Sequence, residues 1–193
     1  DWDTTNWNGW EPTTYIRLIE NGDLSLTTDS STPDPEIVIA NTVDNLFVVG
    51  RFEAVDEAFM VTDFDVVEFN AMMNWLNPGD YDQVIDSITV TYENEAGTTV
   101  SEDVSLVQGI GHVGGATLFV PANDDAKVYG YVDAAEINGA GFTGAKPGLA
   151  IDAEDWWGLG SDFSAVGESS GVTLDETDMG GQGYAEGNPM VIR

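Results

Sequence analysis

Val84–Tyr92 (VIDSITVTY) and Thr99–Val107 (TVSEDVSLV), joined across Asn94-Glu95-Ala96-Gly97, decide the fold. Val, Ile, Thr and Tyr carry an alternation of period two in these runs, and side chains that alternate in this way belong to a half-buried strand. Asn and Gly between the runs supply a four-residue loop, so the pair reads as an antiparallel hairpin.

The same pattern recurs in both directions along the chain. Upstream lie Tyr15–Ile19 (YIRLI) and Leu24–Thr28 (LSLTT), flanking the turn signal Asn21-Gly22-Asp23 and predicting a hairpin there. Then come Glu36–Ala40, Asn45–Val55 and Phe59–Phe69, the last with a slip of phase near Thr62–Asp65 that predicts a β-bulge. Downstream, Ala116–Val120, Ala126–Ala134 and Gly148–Ala153 complete a core of about ten strands at the spacing of a sandwich. Leu106–Asn123 reads as a strand, a glycine loop holding His112, and another strand. Helical material is confined to short candidates at Asn70–Leu76 and Glu154–Leu159. Ser30–Pro35 is too short for a domain linker, so residues 22–193 form one sandwich domain, preceded by an arm over 1–21. Met190–Arg193 is apolar and extended, a strand that pairs either within the sandwich or with a neighbouring subunit.

Composition removes several functions. Against 35 Asp and Glu stand 5 Lys and Arg, a net charge of -30, so a phosphate backbone or an anionic membrane surface has almost no cations to meet. The longest uncharged stretch, Leu106–Asn123, is interrupted by glycines, Gln108 and His112 and is no membrane span. With no Cys and one His, disulfides, thiolate chemistry, zinc sites and a Ser-His-Asp triad lack their material. At 42% hydrophobic residues the chain has enough to fill a core. It opens on DWDTTNWNGW, without a charged-then-apolar leader, and reads as a processed segment. An acidic, lysine-poor surface suits a saline or calcium-rich exterior, extracellular or at a cell surface.

Beyond these patterns, the order of segments resembles a known group. Gly22–Leu26, Thr28–Pro33, Val49–Ala54, Ile88–Tyr92, Thr117–Ala122, Lys127–Asp133 and Gly187–Arg193 are similar to the repeating β-sandwich units of large surface proteins of candidate-phyla (Patescibacteria-type) bacteria. The resemblance implies an all-β, immunoglobulin-like antiparallel sandwich, a role in surface-layer, pilus-like or filament construction, and no catalytic residues. Asp1–Glu20 fall outside it.

Carboxylate pairs such as Asp63 and Asp65, Asp80 and Asp82, or Asp152 and Asp155 have the residue type of a glycosidase acid and base. Among so many acids the bland reading is a solvated surface. Calcium takes six to eight oxygens from carboxylates and loop carbonyls, which makes Asp80, Asp82, Asp124, Asp125, Asp152 and Asp155 on turns its candidate ligands, although none has EF-hand spacing. No cofactor is otherwise required. Trp2, Trp7 and Trp10 on the arm, and Trp156-Trp157, suit a subunit contact, a stacked sugar ring or a core. The sequence therefore predicts a noncatalytic structural subunit whose partners are copies of itself, joined by strand addition through Trp2, Trp7, Trp10, Tyr15, Ile16, Leu18 and Ile19 or through Met190 and Ile192. A carbohydrate-binding or adhesive domain, with surface glycans as partners, is the alternative.

Overall fold

The structure, a computed structural model, describes residues 22–70, 84–136, 144–155, 162–180 and 182–193. Among these the fold is all-β, with thirteen strands in a sandwich-like arrangement and no helix. Six strands precede the central hairpin or belong to it: β1 is Asp23–Thr28, β2 Ile37–Val38, β3 Asn45–Val55, β4 Phe59–Asn70, β5 Ile85–Glu93 and β6 Thr99–Val104. The second half supplies β7 (Ile110–Val120), β8 (Asp125–Ala134), β9 (Pro147–Asp152), β10 (Ser164–Gly167), β11 (Thr173–Leu174), β12 (Tyr184–Glu186) and β13 (Val191–Ile192).

The hairpin expected from VIDSITVTY and TVSEDVSLV forms as β5 and β6, in register Glu93↔Thr99 to Ile88↔Val104. Asn94 Oδ1 accepts the amides of Ala96 and Thr98, and Gly97 takes the left-handed φ of 70° that closes the turn without a Cβ penalty. One sheet runs β1-β3-β8-β5-β6. In the other, β4 pairs with β7 along one side, and with β10 and then β9 along the other; β11 lies outside β10 and β12 outside β9. The links β3→β4 and β7→β8 cross between the sheets side by side, tied by Asp56 N–H to Asn123 Oδ1 (3.2 Å) and Ala54 N–H to Asp124 O (3.1 Å).

Inward residues of both sheets form one core. Phe52 on β3 meets Phe64 on β4 edge to face at 6.3 Å, and Phe64 meets Tyr92 on β5 at 6.5 Å, all three fully buried. Gly130 on β8 is required by closeness, since a Cβ there would stand 2.8 Å from both Val48 and Leu149 side chains. The predicted slip in β4 is a register shift between Val61 and Asp63, opposite Gly114–Ala116 of β7.

One reading of the sequence is corrected. His112 does not lie in a glycine loop: the turn falls earlier, at Gln108-Gly109, both with positive φ, and β7 runs unbroken from Ile110 through His112. Of the hairpin predicted around Asn21-Gly22-Asp23, Tyr15–Ile19 and Asn21 lie outside the described residues, and Leu24–Thr28 forms within β1. One side of β1 pairs with β3, and on the other Leu24 O accepts Gly180 N–H and Leu26 N–H donates to Gln182 O, each 2.8 Å. Met190–Arg193 finds its partner within its own sandwich: β13 pairs in parallel with β2, while on its other side Ile192 exchanges bonds with Gly144 and Ala145. Tyr15–Ile19 and the helical candidate Asn70–Leu76, save Asn70 itself, lie outside the described residues.

Candidate functional site

Two features stand out once the core is accounted for: the pair of poles at the ends of β3, and an outward row of polar side chains on the second sheet. At the Val55 end of β3 the chain enters the sandwich, with Asp23 paired to Val55. Gly22 N–H donates to Glu57 Oε1 at 3.0 Å. Glu57 is 3% exposed and also accepts Ser169 N–H (3.1 Å), Ser170 N–H (2.9 Å) and Ser170 Oγ–H (2.8 Å). Burial alone would raise this carboxyl, but the four donors outweigh it and hold it below the usual carboxylate range.

The opposite pole lies at the Asn45 end. Asn45 Nδ2 donates to Thr42 O, and Thr42 Oγ1 to Ile39 O, which places β2 there. In the parallel ladder with β13, Val191 N–H bonds Glu36 O and Arg193 N–H bonds Val38 O, so Glu36, Val38 and Ala40 spend their backbone groups on β13. The amide and carbonyl of Ile37 and the amide of Ile39 consequently point to the far edge of β2, where no strand is paired among the described residues. Side chains follow the same alternation. Val38 is buried, whereas Ile37 is 52%, Ile39 58% and Val43 67% exposed. Pro35 closes this edge two residues before Ile37 and leaves a short open stretch, and an unpaired edge with exposed isoleucines and no lysine is a template for another strand.

The second feature follows from register. His112 of β7 pairs with Asp65 of β4, Asp65 with Asp152 of β9, and Asp152 with Tyr184 of β12, so the four side chains line one row on the face away from the core. His112 Nδ1 lies 3.0 Å from Asp65 Oδ1, its Nε2 lies 3.6 Å from Asp63 Oδ1, and Asp162 N–H donates to Asp65 Oδ2 at 3.3 Å. Asp65 and Asp152 are 4% and 2% exposed, which corrects their reading as solvated surface acids. Burial pushes the Asp65 carboxyl above its ordinary value, against the opposing bonds from His112 and Asp162. The row's members are far apart in sequence, and only the register of four strands brings them together.

The expected cation ligands fare differently. Asp80 and Asp82 lie outside the described residues, as do all six Trp and Tyr15, Ile16, Leu18 and Ile19. Asp124 is exposed and spends Oδ1 on the amide of Asp125 (2.9 Å), closing the β7–β8 turn. Asp152 Oδ1 accepts Glu154 N–H at 3.2 Å, and Asp155 sits at a left-handed φ of 53°. Among the described residues no group of three His, Asp or Glu side chains that could hold a metal ion is found. Met190 and Ile192, expected at a subunit contact, are wholly buried in their own core. What the sequence reading missed is β2's outward edge and Glu57. The first was legible in the alternation of Glu36–Ala40, the second was one acid among many.

No protein-family model matches the chain, and no curated protein matches it. No described helix is long and apolar enough to cross a membrane.

Proposed function

We propose that this protein is a noncatalytic structural subunit of an extracellular filament or surface array, built by adding a strand of one copy to a sheet of the next. The observation that carries the reading is the occupancy of β1: with β3 on one edge and Gly180 and Gln182 on the other, β1 has no open edge for the strand-like sequence Tyr15–Ile19 that precedes it. A segment with alternating apolar residues and a full set of backbone donors and acceptors gains most by pairing with an edge elsewhere. The C-terminal strand, the other candidate donor, is consumed in its own sandwich. The resemblance of segment order to bacterial surface-protein units agrees with this role, and the net charge of -30 suits an exterior location. Negative-stain microscopy of the purified chain is the test. Polymers are expected, and deletion of residues 1–20 is expected to abolish them while leaving the melting temperature of the sandwich unchanged. Absence of polymers at every concentration, or polymers of normal length after the deletion, overturns the reading.

One observation favours a second reading, a carbohydrate-binding or adhesive domain: the part-exposed His112 and Asp63, 3.6 Å apart, offer a donor and acceptors of the kind that sugar hydroxyls take. Titration of oligosaccharides against tryptophan fluorescence separates the two.

A further inference from the structure

The geometry points to the outer edge of β2 as the acceptor, and to Tyr15–Ile19 of a second copy as the strand that fills it. This rests on the assembly reading above and specifies its interface. The edge offers Ile37 N–H, Ile37 C=O and Ile39 N–H, all directed away from β13, beside the exposed side chains of Ile37, Ile39 and Val43. A short extended segment with apolar residues at alternate positions matches such an edge, and YIRLI has that form.

Distance assigns the donor to another copy. Gly22 is held at the Val55 end of β3 by Glu57, and β2 lies at the Asn45 end. β3 has 11 residues, so the two poles stand about 30 Å apart at the rise of a strand. Tyr15 is seven residues before Gly22 and reaches at most about 25 Å from it when fully extended, and Ile19, three residues before, about 11 Å. A molecule's own Tyr15–Ile19 therefore falls short of its own β2 edge. The next copy's edge has no such limit.

Charge agrees. Arg17 sits in the middle of the donor and is one of only 5 cationic residues in the chain, while Asp34, Glu36 and Asp44 flank the acceptor. Because donor and acceptor lie at opposite poles, the contact is head to tail. Each copy then presents one free edge and one free arm, and the assembly grows as an open filament rather than closing as a two-fold dimer.

The experiment uses full-length chains. Ile37→Pro removes an amide that faces outward and none that serves β13, so the fold is kept; Ile39→Lys charges the edge without touching its backbone. The donor is blocked by Ile16→Pro with Arg17→Pro, adjacent positions of which one faces the acceptor in either register. Melting curves establish that each variant is folded. Each acceptor variant alone, and the donor variant alone, is expected to sediment as a monomer at concentrations where the wild type forms filaments. A mixture of Ile37→Pro with the donor variant is expected to yield a species of two chains and nothing longer, since one supplies the only arm and the other the only edge. Folded acceptor variants that polymerise like the wild type, or a mixture that gives no dimer, overturn the acceptor assignment while the assembly reading stands. A wild type that stays monomeric overturns both.

Discussion

Glu57 accepts bonds from Gly22, Ser169 and Ser170, and through them it joins the entry of the chain to the β3–β4 turn and to the turn between β10 and β11. A Cβ on Gly167 would stand 2.7 Å from its carboxyl carbon, so the pocket around it is closed. In Glu57→Gln one accepting oxygen becomes an NH₂ group facing N–H donors, which leaves buried donors unmatched at about 1–3 kcal/mol each. The expected loss is about 2–3 kcal/mol, or roughly 4–12 °C in melting temperature for a chain of this size. Its folded carboxyl lies below the ordinary value, so its contribution is complete above the unfolded pKa and disappears as pH falls. Asp29 adds to the same acid limb: a hydrogen bond from Ser31 Oγ, its amide at 2.8 Å and Lys127 Nζ at 3.0 Å hold its carboxyl at about 2. Melting followed from pH 5 to pH 2 is expected to fall steadily in the wild type and less steeply in Glu57→Gln. Equal slopes would show that Glu57 contributes nothing to it. Asp65 has the opposite sign, because its raised carboxyl favours the folded state when protonated.

At the scale of elements, Tyr92 links three strands. Its ring is buried on β5, its hydroxyl donates to Glu102 on β6, and the same oxygen accepts Thr117 N–H of β7 at 3.3 Å. Burial, and then the bond to Glu102, push the phenol up to about 12. A raised folded pKa means that this contribution is present below the unfolded value, near 10, and is lost as pH climbs toward 12. Tyr92→Phe is expected to cost about 1–2 kcal/mol at neutral pH and to flatten the loss of stability between pH 10 and pH 12, read by denaturant midpoints across that range. An unchanged alkaline slope would remove Tyr92 as its source. Strands of this kind were legible in the sequence because each long one alternates and ends in a turn residue, as β5 and β6 do around Asn94–Gly97. The bulge in β4 announced itself in the broken phase of VTDFDVV. Less legible was anything set by partners distant in the chain. Gly180, Gln182 and Gly183 read as turn residues, yet they bond β1 through Leu24 and Leu26 and β9 through Ala153, closing one side of the sandwich. Strands as short as β10, β11 and β12 are too brief to show a period, and β13 showed its extended form but not its neighbour. The row on the second sheet was hidden for the same reason: Asp65 and Asp152 become neighbours only after β4 and β9 pair.

For the whole molecule, charge sets the conditions under which the fold, and the filament proposed above, can exist. Among the described residues Arg51 is paired with Glu53 at 3.2 Å and Lys127 with Asp29 at 3.0 Å, and 5 cationic residues can pair with only a small part of the 35 acids. Repulsion between exposed charges extends over about 10 Å at 0.1 M salt and about 3 Å at 1 M, so added salt relieves it within a molecule and, more strongly, between copies brought into contact. Melting temperature is therefore expected to rise from low salt to 1 M sodium chloride, and filaments to dissociate when salt is withdrawn. Calcium distinguishes coordination from screening. The described residues gather no metal-binding group, so calcium and sodium chloride at equal ionic strength are expected to act alike on Asp124→Asn and on the wild type. Should calcium stabilise the wild type beyond that match, loss of the increment in Asp80→Asn with Asp82→Asn would place the ligands at that turn. A melting temperature that falls as salt is added would contradict the electrostatic account. It would mean that stability rests on favourable charge pairing, for which a chain with 35 acids and 5 bases has few partners.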